Sequence, residues 1–370
     1  MESASWSAVL GGFSVSAPLA PEMANWAMTQ ILSGQATDAQ TAAFAMGLHI
    51  TGETPEQVAV LAATMLEFAN LVPAIPGISA VVDVVGTGGD GSHSVNISTM
   101  AAVVAAACGV TVIKHGNRAF SSSTGSADLL EALGLDLDLS ADQVAAVARI
   151  AGIAFCFAPN HHPAMRFAAP ARTQLGIPSV FNILGPLTNP ALANAALVGC
   201  AHIPLAPVMA RVLASRGVRA LVVRGTDGLD EISLSAPTQV WDATSGEVVQ
   251  IRLDPADFGI IGFRPEHLLG ASPERNADLT QKVFGGTDPG ADSEVVASIR
   301  LAVALNAAAA LAAADSVDDP NACSIPLSDR INTHLPRAQA ALDTGQAWKV
   351  CEKWVATAAQ VKSSGSSRRG

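Results

Sequence analysis

The spacing of apolar residues predicts helices throughout residues 1–70. Hydrophobic side chains recur three or four positions apart, as one face of a helix requires, with no alternating strand pattern. Thr54 followed by Glu56 and Gln57 is typical of a helix start. Residues 71–79, which contain two prolines, predict a linker after these helices. The positions that carry the helical spacing are Trp26, Ile31, Leu32, Ala43, Phe44, Leu48, Val58, Leu61, Met65 and Phe68.

From residue 80 the pattern changes to a repeat of apolar strand, loop and helix. Short apolar runs predict strands at 80–85, 110–113, 153–157, 195–199 and 220–223. Helical spacing predicts helices between them at 99–107, 125–133, 141–151 and 205–215. Because continuous apolar strands alternate with helices, we expect an α/β fold with a mostly parallel sheet covered on both faces. A β-hairpin is predicted to follow at 239–241 and 248–251.

Residues 159–190 interrupt this alternation with a short helix and two proline-marked loops. Such an insertion can return to the N-terminal helices and act as a hinge. The pattern therefore predicts a small all-helical domain at 1–75, joined by the inserted segment 160–186, and a large α/β domain at 78–159 and 187–362. The tail at 363–370 is rich in Ser, Gly and Arg, and we expect it to be disordered.

Composition narrows the class of protein. Hydrophobic residues make up 49% of the chain and charged residues 14%, which is enough material for a core and little sign of disorder. A net charge of −11 argues against nucleic acid as a partner, since binding a polyanion requires a basic surface. Acidic small substrates remain compatible with this charge if a local cation offsets it.

Cysteines and apolar stretches predict the compartment. The five cysteines lie far apart in apolar surroundings, which predicts reduced core residues of a cytoplasmic protein. The N-terminus lacks a basic region before its apolar patch, so no signal peptide is predicted. Residues 297–314 are apolar but contain Arg300 and Asn306, which favours a buried helix over a membrane span. We therefore expect no membrane partner.

A glycine-rich segment, 84–99, follows the first predicted strand and reads VVGTGGDGSHSVNIST. Glycines let a backbone approach a ligand and turn its N–H groups inward, which suits phosphate oxygens. The segment matches neither GxxxxGK[ST] nor a GxGxxG that opens directly into a helix. Its glycines alone also fit a tight turn, and Ser98 and Thr99 alone a helix cap. The further polar residues that favour a phosphate-binding loop are Asp90, Ser94 and Asn96.

A second polar segment, 114–128, reads KHGNRAFSSSTGSAD and follows the next apolar strand. The carboxyl ends of parallel strands share one edge of a sheet, where ligands bind, so both segments are expected there. The density of cations, hydroxyls and glycines favours a second phosphate-binding loop over a plain turn. For His115 the sequence leaves two roles open, a structural hydrogen bond and a ligand contact.

Two further clusters carry charge. His161 and His162 are adjacent, but no carboxylate or third histidine lies nearby, so zinc is not expected. Arg172 either pairs with an internal acid or faces a carboxylate ligand. Asp230 and Glu231, after the strand at 220–223, fit either a solvated acidic turn or a Mg²⁺ site completed by a diphosphate. Opposite two phosphate loops the Mg²⁺ interpretation is preferred. Without a nucleophile motif, direct transfer between two bound substrates is expected.

Five segments together resemble the successive motifs of the anthranilate phosphoribosyltransferase family, in order and approximate spacing. They are VGTGGDGSHSVNIST, KHGNRAFSSSTGSADLLEALG, FAPNHHPAMRFAAPARTQLG, FNILGPLTNP and GTDGLDEIS. The resemblance implies transfer of the 5-phosphoribosyl group from phosphoribosyl pyrophosphate (PRPP) to the amine of anthranilate, in tryptophan biosynthesis. It also implies a nucleoside phosphorylase-like fold of a small helical and a large α/β domain, a Mg²⁺ cofactor, and a homodimer through the helical domains.

The resemblance assigns site residues by motif position. It implies PRPP contacts at Gly86, Gly89, Asp90, Ser94, Asn96, Ile97, Ser98, Thr99, Lys114, His115, Gly116, Asn117, Arg118, Ala119, Phe120, Ser121, Ser122 and Ser126. It implies Mg²⁺ ligands at Ser98, Asp230 and Glu231. It places anthranilate at Gly86, Asn117 and Arg172, with His115 and His162 near its entry path. No acid or base is assigned, because an aromatic amine loses its proton easily after attack.

Two other classes remain as alternatives. Pyrimidine nucleoside phosphorylases share the two-domain architecture and hold free phosphate with a lysine–histidine–serine–threonine–glycine stretch. Here Lys114 and His115 are followed by Gly116 and Asn117 instead. The second class is a non-catalytic, nucleic-acid-binding paralogue that has lost the acids. The acids of the GTDGLDEIS segment are present in this chain, and its net charge is negative.

Overall fold

The computed structural model describes residues 4–14, 18–119 and 123–366, with side chains as far as Ser364. The N-terminal part folds into four helices, α1 (Trp6–Phe13), α2 (Pro21–Leu32), α3 (Asp38–Thr51) and α4 (Pro55–Glu67). Thr54 starts α4 through a capping box with Gln57, as its sequence indicates. The helices predicted over 1–70 are confirmed. Their most buried predicted positions, each at most 2% exposed, are Ile31, Leu32, Phe44, Leu48, Val58 and Leu61.

A seven-stranded sheet forms the centre of the second part, in the order β3-β2-β1-β4-β5-β6-β7. The first five strands are mutually parallel, and β6 and β7 form an antiparallel hairpin at one edge. The predicted mostly parallel sheet and hairpin are therefore confirmed. The strands are β1 (Val81–Gly86), β2 (Thr111–Gly116), β3 (Ile153–Phe157), β4 (Ala195–Gly199), β5 (Arg219–Gly225), β6 (Thr238–Asp242) and β7 (Val249–Leu253).

Helices cover both faces of this sheet. Those after β1 are α5 (Ile97–Ala107), α6 (Ser126–Ala132), α7 (Ala141–Ala151), α8 (Ala158–His161), α9 (Ala169–Leu175), α10 (Val180–Leu187), α11 (Ala206–Ser215), α12 (Pro273–Val283), α13 (Ser293–Asp318), α14 (Leu327–Asp343) and α15 (Gln346–Ser366). Side chains alternate along a strand, so Val82 and Val84 of β1 join one apolar core and Val85 joins another. The first core contains α5, α13 and α14, and the second contains α11 and the N-terminal helices.

The inserted segment packs against the N-terminal helices. Helix α9 contacts α3, and α10 contacts α3 and α4. The backbone N–H of Asn70 donates to the carbonyl of His161 at 2.8 Å, which ties the linker to the same segment. The sequence-based expectation of a proline-marked loop at α10 is wrong. Pro186 lies in the last turn of α10, where the helix loses only one internal hydrogen bond before it ends.

Two further expectations concern the C-terminal half. Helix α13 is long and apolar enough to cross a membrane, but 72% of its most apolar window is buried in the fold, as predicted for a core helix. The expected disordered tail is wrong for residues 363–366, which continue α15. The hydroxyls of Ser363 and Ser364 donate to the Gln360 carbonyl at 2.9 Å, so these residues extend the helix. Residues 367–370 lie outside the described residues.

The cysteines are unpaired, as expected. All five are free thiols, and every one except Cys323 is buried.

Candidate active site

The carboxyl ends of the five parallel strands carry the predicted polar segments to one edge of the sheet. The first loop (87–96) follows β1, the second loop (117–125) follows β2, and the acid loop (226–232) follows β5. Strand order reverses direction beside β1, between β1 and β4, and this switch point is where open α/β sheets bind ligands. There the backbone N–H of Thr87 donates to the Gly199 carbonyl at 2.9 Å.

The first loop turns sharply on its glycines. Gly88, Gly89 and Gly91 have φ values of 63°, 80° and 72°, a left-handed conformation that glycine adopts without strain. Asp90 accepts hydrogen bonds from the amide and hydroxyl of Ser92, at 3.0 and 2.7 Å, which hold the turn together. The loop therefore has a fixed shape with exposed backbone at its tip.

The acid loop packs directly against the first loop. The Gly88 N–H donates to Asp230 Oδ2 at 2.9 Å, and the Asp230 N–H donates to Asp90 Oδ2 at 3.2 Å. A Cβ atom on Gly86 would lie 2.7 Å from Asp230 Oδ2, and one on Gly199 would lie 1.6 Å from the Asp230 carbonyl oxygen. Glycines at the ends of β1 and β4 thus allow the acids to reach the loop.

The negative charge of Asp230 and Glu231 at this junction is not fully balanced by nearby cations. Burial and the nearby Asp90 raise the pKa of Asp230 to about 7. Burial and Asp230 raise the pKa of Glu231 well above its usual value. The neighbouring cation is Lys114, which is 2% exposed. Its ammonium donates to the Val84 carbonyl and, at 3.2 Å, to Ser98 Oγ. Burial lowers the pKa of Lys114 against the pull of the acids.

A third acid of the same loop is fully satisfied. Asp227 Oδ2 accepts hydrogen bonds from the hydroxyls of Ser233 and Ser235, at 2.6 and 2.7 Å. Asp227 Oδ1 accepts from the Leu229 N–H at 3.3 Å. This carboxylate shapes the loop, whereas Asp230 and Glu231 have capacity left for a ligand.

These acids fit a hard divalent cation. Asp230 and Glu231 offer oxygen ligands, and the nearby Ser98 backbone lowers the pKa of Glu231 against the effect of burial. Among the described residues no three His, Cys, Asp or Glu side chains form a complete metal-binding group. Mg²⁺ suits such a partial set, because it is commonly held by one or two carboxylates together with substrate phosphates and water.

The second loop is held by a hydroxyl and two acids of α6. Ser126 Oγ donates to the Asn117 carbonyl at 3.2 Å, and a Cβ on Gly116 would lie 2.3 Å from that Oγ. Arg118 is exposed and pairs with Glu131 and, at 3.3 Å, with Asp128. The Ala119 N–H also donates to Asp128, at 2.9 Å. The remaining predicted residues of this loop, Phe120, Ser121 and Ser122, lie outside the described residues.

His115 makes one of the two contacts that the sequence left open, a structural hydrogen bond, and its ligand contact stays a prediction. Its Nδ1–H donates to the Gly185 carbonyl at 2.9 Å, while its Nε2 is buried without a partner among the described residues. His162 is similar, since its Nε2–H donates to the Thr188 carbonyl at 2.9 Å and its Nδ1 is buried and unpartnered. The two rings lie 5.1 Å apart. Each ring therefore has one nitrogen in a structural hydrogen bond and one buried acceptor nitrogen without a partner among the described residues.

Arg172 lies on α9, in the inserted segment, and is partly buried. Within the part of the chain that the structure describes, no acid or carbonyl pairs with its guanidinium. Burial lowers the pKa of Arg172. The internal ion pair that the sequence left open is thus not found, and the alternative of a carboxylate ligand remains.

The other predicted residues line the start of α5. Ile97 is 1% exposed and belongs to the apolar core, so only its backbone can face a ligand. The Thr99 hydroxyl is buried without a partner among the described residues. Ser94 forms a β-bridge with Leu269, and Asn96 donates to the Thr124 carbonyl at 2.9 Å.

Sequence reasoning missed three buried polar residues that hold these loops. Asp83, inside β1, accepts from the His115 N–H at 3.1 Å, and burial raises its pKa to about 6. Asn306, in apolar α13, accepts from the Ile232 N–H at 3.0 Å and donates to the Ile232 carbonyl at 3.2 Å, directly after Glu231. Asn276 contacts Asn96. For Asp83 and Asn306 the available signal was a lone polar residue inside an apolar strand or helix, whereas Asn276 lies in the mostly polar α12 and offered no such signal.

The fold and the site together define a class of protein. Residues 12–69 match the helical bundle domain of the glycosyl transferase family, and residues 79–348 match its a/b domain. The two matches cover α2 to α4 and the sheet with its covering helices as far as α14.

Within that class the chain belongs to the anthranilate phosphoribosyltransferase family. It is 50% identical over 332 residues to the anthranilate phosphoribosyltransferase of Nocardia farcinica, covering 89% of this chain and 92% of that one. The crystal structure of the enzyme from Thermus thermophilus is 37% identical, with a TM-score of 0.82, and covers 95% of this chain and 99% of that one. The Saccharomyces cerevisiae enzyme in complex with PRPP and Mg has a TM-score of 0.82 at 25% identity, with 96% and 98% covered.

Proposed function

We propose that this protein transfers the 5-phosphoribosyl group from PRPP to the amine of anthranilate. The products are N-(5-phosphoribosyl)anthranilate and pyrophosphate, in the second step of tryptophan biosynthesis from chorismate. The observation that carries the proposal is the junction of Asp230 with the Gly88 N–H, which places the partly buried Asp230 and the buried Glu231 against a glycine-rich loop. Family membership supports the same activity.

PRPP is proposed to lie between the first and second loops. Backbone N–H groups at Gly86 and Gly89, with the hydroxyls of Ser94 and Ser98, would face its phosphate oxygens. Ser98, Asp230 and Glu231 would hold Mg²⁺ against the diphosphate. When bound, Mg²⁺ would stabilise the negative charge that develops on the leaving pyrophosphate.

Anthranilate is proposed to bind through its carboxylate. The Arg172 guanidinium, which no described acid pairs with, is suited to a planar carboxylate. Asn117, exposed on the second loop, would orient the amine toward the ribose carbon. Gly86, His115 and His162 would line the approach. Positioning supplies much of the rate acceleration, because the amine attacks an electron-poor carbon without a strong base.

The domain bounds, assembly and location are also proposed. The helical domain at 1–75 would be joined to the α/β domain, at 78–159 and 187–362, by the segment 160–186, whose helices pack on the bundle. A homodimer through the helical domains is proposed from the resemblance to the family. Five free cysteines support a cytoplasmic location. The net charge of −11 supports the absence of a nucleic-acid partner.

The loss of anthranilate fluorescence in the presence of PRPP and Mg²⁺ tests the activity. We expect turnover only when all three are present, and its loss on chelation of the metal. Turnover of thymidine with phosphate, and none of anthranilate with PRPP, would instead assign the chain to the pyrimidine nucleoside phosphorylases. Specific nucleic-acid binding without either activity would indicate a binding paralogue.

A further inference from the structure

A closed ring of hydrogen bonds joins the two phosphate loops to the start of α12. Asn276 is 2% exposed, and its Nδ2 donates to Asn96 Oδ1 at 3.2 Å. Asn96 Nδ2 donates to the Thr124 carbonyl at 2.9 Å, and Thr124 Oγ1 donates to the Ala271 carbonyl at 2.6 Å. The Ala271 N–H donates to Asn276 Oδ1 at 2.8 Å and closes the ring. Asn96 belongs to the first loop and Thr124 to the second.

All four hydrogen bonds of the ring run from donor to acceptor in the same direction around it. The Ala271 N–H can only donate, so it must face the oxygen of the Asn276 carboxamide. The Thr124 carbonyl can only accept, so it must face the nitrogen of the Asn96 carboxamide. Both amide orientations are thereby fixed, and the remaining Asn276 nitrogen meets the remaining Asn96 oxygen. Loss of any one member leaves a donor or acceptor without its partner.

The chain before α12 also runs alongside the first loop. The Val95 N–H donates to the Leu268 carbonyl at 2.8 Å, and the Gly270 N–H donates to the His93 carbonyl at 2.7 Å. A Cβ on Gly270 would lie 2.8 Å from the Ser94 carbonyl oxygen, so the two backbones can approach only at a glycine. Residues 268–270 thus brace the first loop along its backbone, and the Asn276 side chain joins that loop to the second one through the ring.

We propose that Asn276 is a positioning residue for phosphoribosyl transfer, which fixes the first and second loops relative to each other before PRPP binds. The inference rests on the proposed placement of PRPP between these loops. A ligand that contacts both loops binds more weakly when it must also order them. Anthranilate is proposed to contact only the second loop, through Asn117, and to bind its carboxylate to Arg172 on α9, outside the ring. Its binding therefore depends less on how the two loops are placed relative to each other.

Replacement of Asn276 tests this through the two Michaelis constants. In Asn276→Ala we expect the KM for PRPP to rise about five- to tenfold, the scale of one lost hydrogen bond, and the KM for anthranilate to stay within about twofold. Asn276→Asp keeps the acceptor for the Ala271 N–H but turns a second oxygen toward Asn96 Oδ1. It should raise the KM for PRPP at least as much, because the two oxygens repel each other at a buried position.

Asn194 provides a matched control at the opposite end of the sheet. Its carboxamide accepts from the Val81 N–H at 2.8 Å and donates to the Ser79 carbonyl at 2.8 Å, where β1 begins. Asn194→Ala should lower stability without a selective change in either KM. In the double variant Asn96→Ala/Asn276→Ala, the effects on the KM for PRPP should be less than multiplicative, because both act through one bond.

Each outcome distinguishes the inference from the proposed function. A wild-type enzyme that turns over anthranilate, with Asn276 variants whose two KM values rise equally or not at all, overturns the positioning role alone. Multiplicative effects in the double variant do the same. A wild-type protein without this turnover contradicts the proposed function itself.

Discussion

Two arginines differ in how completely their charge is paired. One lies in the core, and the other lies beside the candidate site. Arg172, on α9 beside the candidate site, is partly buried and has no acid or carbonyl partner among the described residues. Arg330, on α14, is 5% exposed and donates four hydrogen bonds from its two Nη atoms. The acceptors, at 2.7 to 3.3 Å, are Asp242, Thr244, Ala312 and Ser316.

The acid loop shows the same contrast between a fully paired charged group and incompletely paired ones. Asp227 accepts hydrogen bonds from two hydroxyls and an amide, whereas Asp230 and Glu231 repel each other with raised pKa values. Burying a charge without partners is unfavourable, so such groups persist where a ligand completes them. Pairing in the core stabilises the fold, and incomplete pairing at the edge prepares the site.

The core arginine should give the largest effect on stability. Arg330→Ala leaves Asp242 buried without its cation, so we expect the free energy of unfolding in urea to fall by about 3–5 kcal/mol. Below its unfolding transition the variant should keep nearly normal kinetics. Arg252→Ala is the control, because Arg252 pairs with Asp254 at 3.8 Å and is 71% exposed. It should cost less than about 1 kcal/mol.

The edge acids should give the largest effect on activity. We expect Glu231→Gln and Asp230→Asn to lower kcat/KM about 10²- to 10³-fold, as loss of a group that stabilises developing charge does. Their stability should stay equal or rise, since a buried repulsion is removed. Asp227→Asn serves as the control and should lose stability more than activity. If it loses as much activity as Glu231→Gln, the contrast within the acid loop is wrong.

Arg172→Ala should raise the KM for anthranilate about 10- to 100-fold, the scale of a hydrogen bond to a charged group. Stability and the KM for PRPP should change little, because no described residue pairs with this guanidinium. Arg166→Ala, which removes an exposed guanidinium that lies 4.4 Å from the Phe167 ring, is the matched control. A selective rise in the KM for PRPP would show that Arg172 is misplaced in this account.

The smallest expected effect is on the pH dependence of the free energy of unfolding. Burial lowers the pKa of His115 to about 3 and that of His162 to about 4. Between these values and about 6.5, the unfolded chain binds more protons than the native state, so stability falls as pH decreases through this window. The free energy of unfolding, measured at pH 7 and at pH 4.5, gives this slope. In His162→Gln the slope should correspond to about one proton fewer taken up on unfolding. An unchanged slope would mean that His162 is protonated in the folded protein.

The sheet could be predicted because its strands are apolar on both faces. Strands β3 and β4 lie at the predicted bounds, and α7 begins after Ser140, whose side chain caps it. Helix α10 could not be predicted, because Pro186 looks like a break unless the end of the helix is known. The same limit applies to α15, whose last serines bond back to the helix.

The site could be predicted as far as its loops follow strands. That rule places Asp90, Lys114 and Asp230 at one edge, and the structure brings them together there. The buried asparagines that hold the loops could not be predicted in this way. Asn276 meets Asn96 across 180 positions, and Asn306 meets Ile232 across 74, and no local pattern encodes such a pairing. Asn306 stands out as a polar residue in the apolar part of α13, but only the folded structure shows which loop it holds.

Proton release on binding of PRPP tests the central claim, that the edge acids are left incompletely paired for a ligand. Titrating PRPP into the protein in a calorimeter, with Mg²⁺ present at pH 7 and in buffers of different ionisation enthalpy, counts the protons released on binding. Because the pKa of Asp230 is raised to about 7, the wild-type protein should release more protons on binding than Asp230→Asn does. Equal release by both proteins, at equal saturation, would contradict the account.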